Sequence, residues 1–195
     1  MSVAEWVFAV ERAYVAAATG PAATAAAART ATPSQRARAK AAAAAVASRF
    51  LAVASPRSFA LVIDDRAQLA EAALALEAHR TWFAPRDLRC VTAELADAVG
   101  GREVSVDEAL AADIACVHGA TPIAAAQLRR GTHVNVLGPA SSVAAELYRL
   151  ATVTDEPRGL PALAAGFIDG RRLDELTIFL AGDAAIALAA LGHDG

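Results

Sequence analysis

The sequence has few cysteines, few aromatic residues and no excess of positive charge. Its two cysteines, Cys90 and Cys116, lie in apolar runs, and neither has a second Cys or a His at the spacing of a metal site. We therefore expect buried free thiols, as in a reducing compartment, and no metal. With 18 Lys and Arg against 21 Asp and Glu, the net charge of −3 argues against a nucleic-acid partner.

Long apolar runs are also missing. Ala supplies much of the 56% hydrophobic content, and no run of about 18 apolar residues free of charge occurs. The start, MSVAEWVFAVERAYVAAATG, lacks the basic residues of a secretory signal, and Glu5, Glu11 and Arg12 interrupt its apolar pattern. These features predict a cytoplasmic protein that does not enter a membrane.

The first third of the chain predicts helices. Apolar residues recur at three- and four-residue steps over residues 3–18, and an Ala-rich, turn-rich linker follows. Pro33 then begins a second stretch of high helix propensity. We assign residues 1–54 to these helices and their linker, and we expect the helices to be peripheral.

After Pro56, short apolar runs alternate with helical patterns. The runs are FALVI, LRCVTA, DIACVHG, HVNVLG and LTIFLAG. Strands separated by helices of this length pair in parallel and are covered by helices on both faces. The sequence therefore predicts an α/β fold: a Rossmann-like, doubly wound, mainly parallel sheet over residues 55–195, preceded by N-terminal helices.

Several segments of the sequence resemble those of one known family. The run AADIACVHGATPIAAAQLRRGTHVNVLG resembles the part of the ornithine cyclodeaminase and mu-crystallin family in which an ADIV-T-AT strand precedes a PG-H-N-A-VG strand. AVERAYVAAATG, AAAAAVASRFLA and DELTIFLAGDAAIALAAL are similar to the family's first helix, to the helix before its sheet and to its closing segment. The resemblance covers most of the chain, in the family's order, and implies an NAD(P)-binding Rossmann domain.

The family's catalytic residues are missing from this sequence. Residues 20–38 are too few to form the family's first domain, which builds the dimer and carries a catalytic lysine, so residues 1–54 resemble only a remnant of it. The family's proton-transferring Asp falls on Ala140 and a neighbouring Lys on Ala144, and methyl groups transfer no protons. Its substrate-binding Arg-Thr falls near Ala39 and Lys40. Arg38 or Lys40 is the candidate replacement, although Lys lacks the bidentate fork.

The nucleotide loop is also changed. In VIDDRAQL, Asp64 and Arg66 replace two family glycines that let the backbone approach the pyrophosphate, whereas Gln68 is kept. At about 5 Å and an effective dielectric constant of about 20, an Asp64 carboxylate beside a phosphate costs about 3 kcal/mol, or two decades of affinity. Arg66 offsets part of this by reaching a phosphate or by pairing with Asp65. Alternatively, Asp64 or Asp65 caps the next helix.

Further candidates follow the next strands. His118 ends its strand at the carboxyl edge, where open α/β sheets bind ligands, and Thr121 and Asn135 are expected at the same edge. The structural alternatives are that His118 hydrogen-bonds a loop and that Asn135 pins one through backbone hydrogen bonds. His79 and His193 lie at helix ends and are expected to cap or to face solvent.

Two hypotheses follow. The first is a degenerate, non-catalytic ornithine cyclodeaminase-like domain that acts as a binding or assembly module, with no catalytic residue and no cofactor expected. The second is an NAD(P)-dependent cyclodeaminase-like enzyme, or an imino or amino acid oxidoreductase, with an altered nucleotide loop. Its cofactor-binding candidates are Asp64, Asp65, Arg66, Gln68, His118, Thr121 and Asn135. Both hypotheses allow a small-molecule ligand, and a homodimer or another protein partner. We expect the Ala-rich helix, together with Trp6, Phe8 and Trp82, to close the surface left by the missing domain, either within the chain or across a homodimer.

Overall fold

The computed structural model describes residues 1–19, 30–172 and 174–192. Most of the predicted Ala-rich linker, and His193, lie outside these residues. The strands are β1 (Ser58–Val62), β2 (Asp87–Cys90), β3 (Arg102–Glu103), β4 (Ile114–Val117), β5 (His133–Val136), β6 (Thr152–Asp155) and β7 (Thr177–Leu180). The helices are α1 (Val3–Ala17), α2 (Pro33–Leu51), α3 (Leu69–His79), α4 (Ala93–Val99), α5 (Val106–Leu110), α6 (Leu147–Leu150), α7 (Gly159–Ala164) and α8 (Ala185–Leu191).

The seven strands form one parallel sheet. Their order is β3-β2-β1-β4-β5-β7-β6, and every neighbouring pair runs parallel. The chain winds outward from β1 through β2 to β3 and then returns to place β4 on the other side of β1. The order therefore reverses between β1 and β4, and at such a switch point the carboxyl ends of the strands leave a crevice. The predicted doubly wound sheet is confirmed.

Apolar side chains cover both faces of the sheet. Phe59 and Leu61 of β1 enter a large core that α1, α2, α3 and α8 build on one face. Ala60 and Val62 enter a second core on the other face, which α5 and α6 cover. This alternation follows from the two-residue period of a strand, and it confirms helices on both faces.

Helix α2 is central, and the prediction of a peripheral position is wrong for it. All of residues 41–48 are buried, and α2 packs against α1, α3, α8 and the strands β5 and β7. Because the methyl side chains of Ala are small, neighbouring elements can approach α2 from every side. The helix is therefore buried although its sequence has no apolar stripe. By contrast, α1 buries one stripe, formed by Val7, Val10 and Tyr14.

The helical patterns predicted after β4 and β5, PIAAAQLRRG and PASSVAAELYRL, form almost no α-helix. They contain single 3-10 turns at Ala125–Gln127 and Ala140–Ser142, followed only by the short α6. Ile123 instead forms a parallel bridge with Val143, and its backbone N–H and C=O bind Ser142 O and Ala144 N. Those backbone groups are consequently not available to a helix.

Two further predictions can be compared with the fold. Cys90 and Cys116 are buried free thiols, as expected, and burial raises the pKa of Cys90 to about 11 and that of Cys116 to about 12. Within the described ranges, no helix combines the length and the hydropathy required to span a bilayer.

Candidate functional site

The crevice at the switch point is built from the loops that follow β1, β4 and β5. A Cβ atom added to Gly138 would lie 1.8 Å from the carbonyl oxygen of Gly119, so the β4 and β5 loops touch backbone to backbone. Gly119 itself has φ +75°, a left-handed conformation that residues other than glycine rarely adopt. These two glycines bring the two loops together at the carboxyl edge of the sheet.

Asp64 reaches across this crevice from the β1 loop. Its carboxylate accepts hydrogen bonds from the Ala120 backbone N–H at 2.6 Å and from Gln68 Nε2 at 2.8 Å. The bond from Ala120, and then the bond from Gln68, hold the pKa of Asp64 below its usual value. A Cβ atom on Gly119 would lie only 2.0 Å from Asp64 Oδ1. The crevice therefore contains a carboxylate that the chain itself supplies.

The capping role predicted for Asp64 or Asp65 belongs to Asp65. Its carboxylate accepts the Ala67 backbone N–H at 2.9 Å and caps the 3-10 turn Arg66–Gln68 that precedes α3. Asp64 makes no such cap, because its carboxylate is bound to Ala120 and to the Gln68 side chain.

Arg66 does not pair with Asp65, so that expectation is wrong. Its guanidinium forms an ion pair with Glu94 in the first turn of α4, and 80% of its side chain is exposed. Sequence reasoning did not identify Glu94. The available signal was its position in the first turn of the helix after the second strand, where a carboxylate is favoured.

His118 and Lys40 lie at the same edge. His118 is 4% exposed, and its Nε2 has no hydrogen-bond partner among the described residues. Burial, and then the charge of Lys40, lower the pKa of His118 to about 4, so its ring is neutral at pH 7. Lys40 donates from Nζ to Leu137 O at 2.8 Å, just past the end of β5. Arg38, the other predicted replacement for the substrate-binding Arg, instead lies over the Trp6 ring.

Thr121 and Asn135 occupy different environments. Thr121 follows Ala120 in the crevice loop and is half-buried. Asn135 is fully buried within β5, where its Nδ2 donates to Ser48 Oγ at 2.9 Å and its Oδ1 lies 3.1 Å from His133 Nε2. The expected loop-pinning role of Asn135 is therefore wrong, since its side chain binds other side chains in the core.

Asn135 belongs to a buried polar network beneath α2. His79 Nε2 lies 2.9 Å from Ser48 Oγ, and His133 Nδ1 lies 2.8 Å from Thr177 Oγ1. Burial is the main cause that lowers the pKa of His79 to about 4 and that of His133 to about 3. The prediction that His79 faces solvent is wrong, because its side chain is fully buried; its Nδ1 lies 2.7 Å from Ala75 O in its own helix. Ser48 belongs to α2 and Asn135 to β5, so this enclosed and neutral network holds α2 on the sheet.

The crevice has few ionisable side chains that could transfer a proton. Ala140, the position at which the resemblance predicted a proton-transferring Asp, is exposed in the turn after β5, and Ala144 is half-buried beyond it. Over residues 1–19, 30–172 and 174–192, no cluster of His, Cys, Asp and Glu is arranged to hold a metal ion. Lys40, His118 and Glu71, whose Oε2 lies 4.0 Å from His118 Nδ1, are ionisable groups that this region adds to the acidic loop.

Comparison with known sequences finds no matching family model and no matching curated protein. Solved structures do match. An archaeal alanine dehydrogenase dimer with bound NAD superimposes with a TM-score of 0.67 at 20% identity, over 80% of this chain and 62% of the dehydrogenase. For the iminosuccinate reductase of Paracoccus denitrificans in complex with NAD+, the TM-score is 0.67 at 18% identity, over 83% of this chain and 62% of the reductase.

A probable ornithine cyclodeaminase from Bordetella pertussis Tohama I is similar to the same degree. Its TM-score is 0.67 at 20% identity, over 80% of this chain and 64% of that protein. This chain thus spans less than two thirds of the length of these three proteins. The predicted resemblance is confirmed for the fold, because this chain shares a Rossmann-like fold with these three proteins.

Proposed function

We propose that this chain binds a nicotinamide dinucleotide, NAD(P), between β1 and β4, as an ornithine cyclodeaminase-like oxidoreductase domain with an altered nucleotide loop. The observation that carries the proposal is the anion already present in the crevice. The Asp64 carboxylate is held by the Ala120 backbone N–H and by the Gln68 amide. Donors arranged around a carboxylate also suit a phosphate oxygen.

The position of these donors supports a dinucleotide. They lie at the topological switch point of a parallel sheet, where Rossmann domains bind such ligands. Gly119 and Gly138 keep the loops after β4 and β5 free of side chains at this point. The alanine dehydrogenase and the iminosuccinate reductase of the same fold are both described with NAD bound, which favours this ligand class.

Asp64 has to leave the donors before a phosphate can reach them. Its side chain is exposed, so it can rotate into solvent without disturbing the core. A carboxylate that stays near the phosphate costs about 3 kcal/mol, and binding is then about a hundredfold weaker than in a glycine loop. We therefore expect wild-type affinity in the upper micromolar range.

The retained chemistry fits hydride transfer between the dinucleotide and an imino or amino acid. Lys40 supplies a cation at the carboxyl edge for a substrate carboxylate, and the neutral His118 ring, whose Nε2 has no partner among the described residues, supplies a hydrogen-bonding group. When bound, the nicotinamide would supply the hydride chemistry. This chain contributes binding and orientation.

The second candidate is a non-catalytic binding or assembly module, which includes the predicted homodimer. One specific observation favours it: Asp64 fills the crevice while Ala140 and Ala144 stand where the family has proton-transferring and charged residues. Here the Asp64 bridge would serve only to tie the β1 loop to the β4 loop.

Calorimetric titration separates the two candidates. Wild-type protein is titrated with NAD+, NADH, NADP+ and NADPH at low salt, beside the double variant Asp64→Gly, Arg66→Gly. Saturable binding by the wild type, followed by dinucleotide-dependent turnover of amino or imino acids, supports the oxidoreductase. If the wild type does not bind and the double variant does, the crevice is a disabled nucleotide loop and the module is supported.

A further inference from the structure

We propose a second ligand site at the opposite edge of the sheet, for a small aromatic acid: an aryl carboxylate or an aryl phosphate. A cavity of about 720 Å³ lies there, between the segment before β1 and the segment that joins α3 to β2. It is lined by Ala54, Ser55, Pro56, Arg57, Trp82, Phe83, Ala84, Arg86 and Asp87. This volume lies within the usual range of small-molecule sites, roughly 300–1,000 Å³.

Two neighbouring arginines give the cavity its charge. Arg86 donates its backbone N–H to Arg57 O at 2.9 Å, which places the two residues side by side at the amino edge. Both side chains are exposed, and neither forms an ion pair with any residue that the structure describes. Guanidinium groups bind carboxylate and phosphate oxygens in bidentate fashion.

The acidic residue in the lining does not neutralise them. The Asp87 carboxylate is already shared between Arg89, whose Nε donates at 2.7 Å, and Arg102, whose Nε donates at 2.9 Å. These bonds hold the pKa of Asp87 below its usual value, and the bond from Arg102 is the largest cause. The positive charges of Arg57 and Arg86 are therefore left for a ligand.

The aromatic wall of the cavity is held in place. Trp82 is fixed by the Arg49 guanidinium, 4.3 Å from its ring centroid, and by the edge of Phe8, with ring centroids 5.0 Å apart. Phe83 lies near the buried His79 ring, with centroids 6.5 Å apart. Because the rings are already ordered, a ligand ring can pack on them at little entropic cost.

The two features together define the ligand class. A flat ring matches the wall formed by Trp82 and Phe83, and an oxyanion matches Arg57 and Arg86. The size of the cavity suits a single small molecule. The site is independent of the dinucleotide proposal, because it lies at the amino ends of the strands, away from the crevice.

Tryptophan fluorescence tests this site directly. The chain has two tryptophans, and Trp6→Phe leaves Trp82 as the only one. In that background, phenyl phosphate and benzoate are titrated beside inorganic phosphate and phenol. We expect saturable quenching by the aromatic acid that fits, with the ring-free anion and the neutral ring binding about tenfold or more weakly. The comparison of benzoate with phenyl phosphate identifies the preferred anion.

Charge variants complete the test. Arg57→Gln with Arg86→Gln should weaken binding by about tenfold or more, whereas Arg36→Gln on the exposed face of α2 should leave it unchanged. Circular dichroism checks that each variant is folded, which we expect because neither arginine side chain bonds to a described residue. Quenching that stays linear with both aromatic acids, or equal affinity in the double variant, overturns the proposal.

Discussion

The carboxylate of Asp64 lies against the backbone of Gly119, so close that a Cβ atom there would come within 2.0 Å of Asp64 Oδ1. The next residue, Ala120, donates its N–H to the same carboxylate at 2.6 Å. This contact joins the loops after β1 and β4 at the switch point of the sheet. An anion that bound at this point would compete with Asp64, so we expect this side chain to limit the affinity of the proposed site for a phosphate.

Replacing Asp64 by Asn should strengthen dinucleotide binding. The amide keeps an acceptor for the Ala120 N–H but removes the charge that repels a phosphate. We expect up to about a hundredfold tighter binding of NADH by calorimetry, from a like-charge repulsion of about 3 kcal/mol. Asp65→Asn is the matched control, because Asp65 caps the 3-10 turn and its change should have a smaller effect. Equal affinities in all three proteins would contradict this role of Asp64.

Replacing Gly119 by Ala should destabilise the fold. The new Cβ would take the place of Asp64 Oδ1 and so displace the carboxylate from the hydrogen bonds that Ala120 and Gln68 donate to it, and the backbone of Gly119 has φ +75°. We expect a loss of about 2–3 kcal/mol in the free energy of unfolding, measured by urea denaturation. Gly100→Ala is the control: its φ is similar, at +74°, but nothing lies within 4 Å of the added Cβ. Its loss should be about 1 kcal/mol.

A double variant isolates the contact itself. In the Asp64→Ala background the three atoms closest to the added Cβ are gone, so Gly119→Ala should then cost less than in the wild type and approach the cost of Gly100→Ala, about 1 kcal/mol. If Gly119→Ala costs the same with and without the Asp64 carboxylate, that carboxylate does not lie against the Gly119 backbone.

The sheet was predictable from the sequence because its signal is local. Each apolar run such as FALVI or DIACVHG carries its own β pattern, and the intervening helical patterns fix parallel pairing. The β3 and β6 edge strands were missed. β3 is only two residues long, and both strands are partly exposed and lack an apolar run.

The contacts of the site were less predictable because they join distant residues. Capping rules are local and suit Asp65, whereas Asp64 is bound by Ala120, 56 residues away. In the same way, the burial of His79 depends on Ser48 of α2, 31 residues earlier. An Ala-rich helix gives no periodic signal for the face it buries, so its partners could not be inferred.

Stability should fall as the pH drops from about 6.5 towards 4. Three buried histidines have lowered pKa values: His79 and His118 at about 4, and His133 at about 3. The unfolded chain binds their protons below about pH 6.5 and the folded chain does not. Between about pH 6.5 and its folded-state pKa, each histidine therefore lowers the free energy of unfolding by about 1.4 kcal/mol for every unit that the pH falls. Glu156, whose pKa burial raises, opposes this as a single group.

Urea unfolding at pH 7 and pH 5 measures this effect. His79→Gln removes one of the three groups, and its loss of stability between the two pH values should be smaller than in the wild type by about 2 kcal/mol. A variant at an exposed acidic residue, Glu77→Gln, should leave the difference unchanged. An equal loss in wild type and His79→Gln would mean that His79 is not neutral in the fold.

Glu156 should stabilise the fold by joining α1 to α8, the first and last helices of the described residues. It is 2% exposed, and its Oε1 accepts the N–H groups of Ile186 at 2.8 Å and Ala187 at 3.0 Å. Tyr14 of α1 donates its hydroxyl to the same oxygen. Ala184, the residue before α8, has no side-chain acceptor, so Glu156 supplies the cap that α8 lacks.

Glu156→Ala should therefore cost about 3 kcal/mol in the free energy of unfolding, because it leaves buried N–H donors without partners. Glu156→Gln keeps an acceptor oxygen and should cost about 1 kcal/mol, and Tyr14→Phe about the same. Since the Tyr14 hydroxyl loses its partner in Glu156→Ala, adding Tyr14→Phe there should cost less than it does in the wild type. Strict additivity in this double-mutant cycle would show that the bond from Tyr14 contributes nothing, and that Glu156 stabilises the fold only through α8.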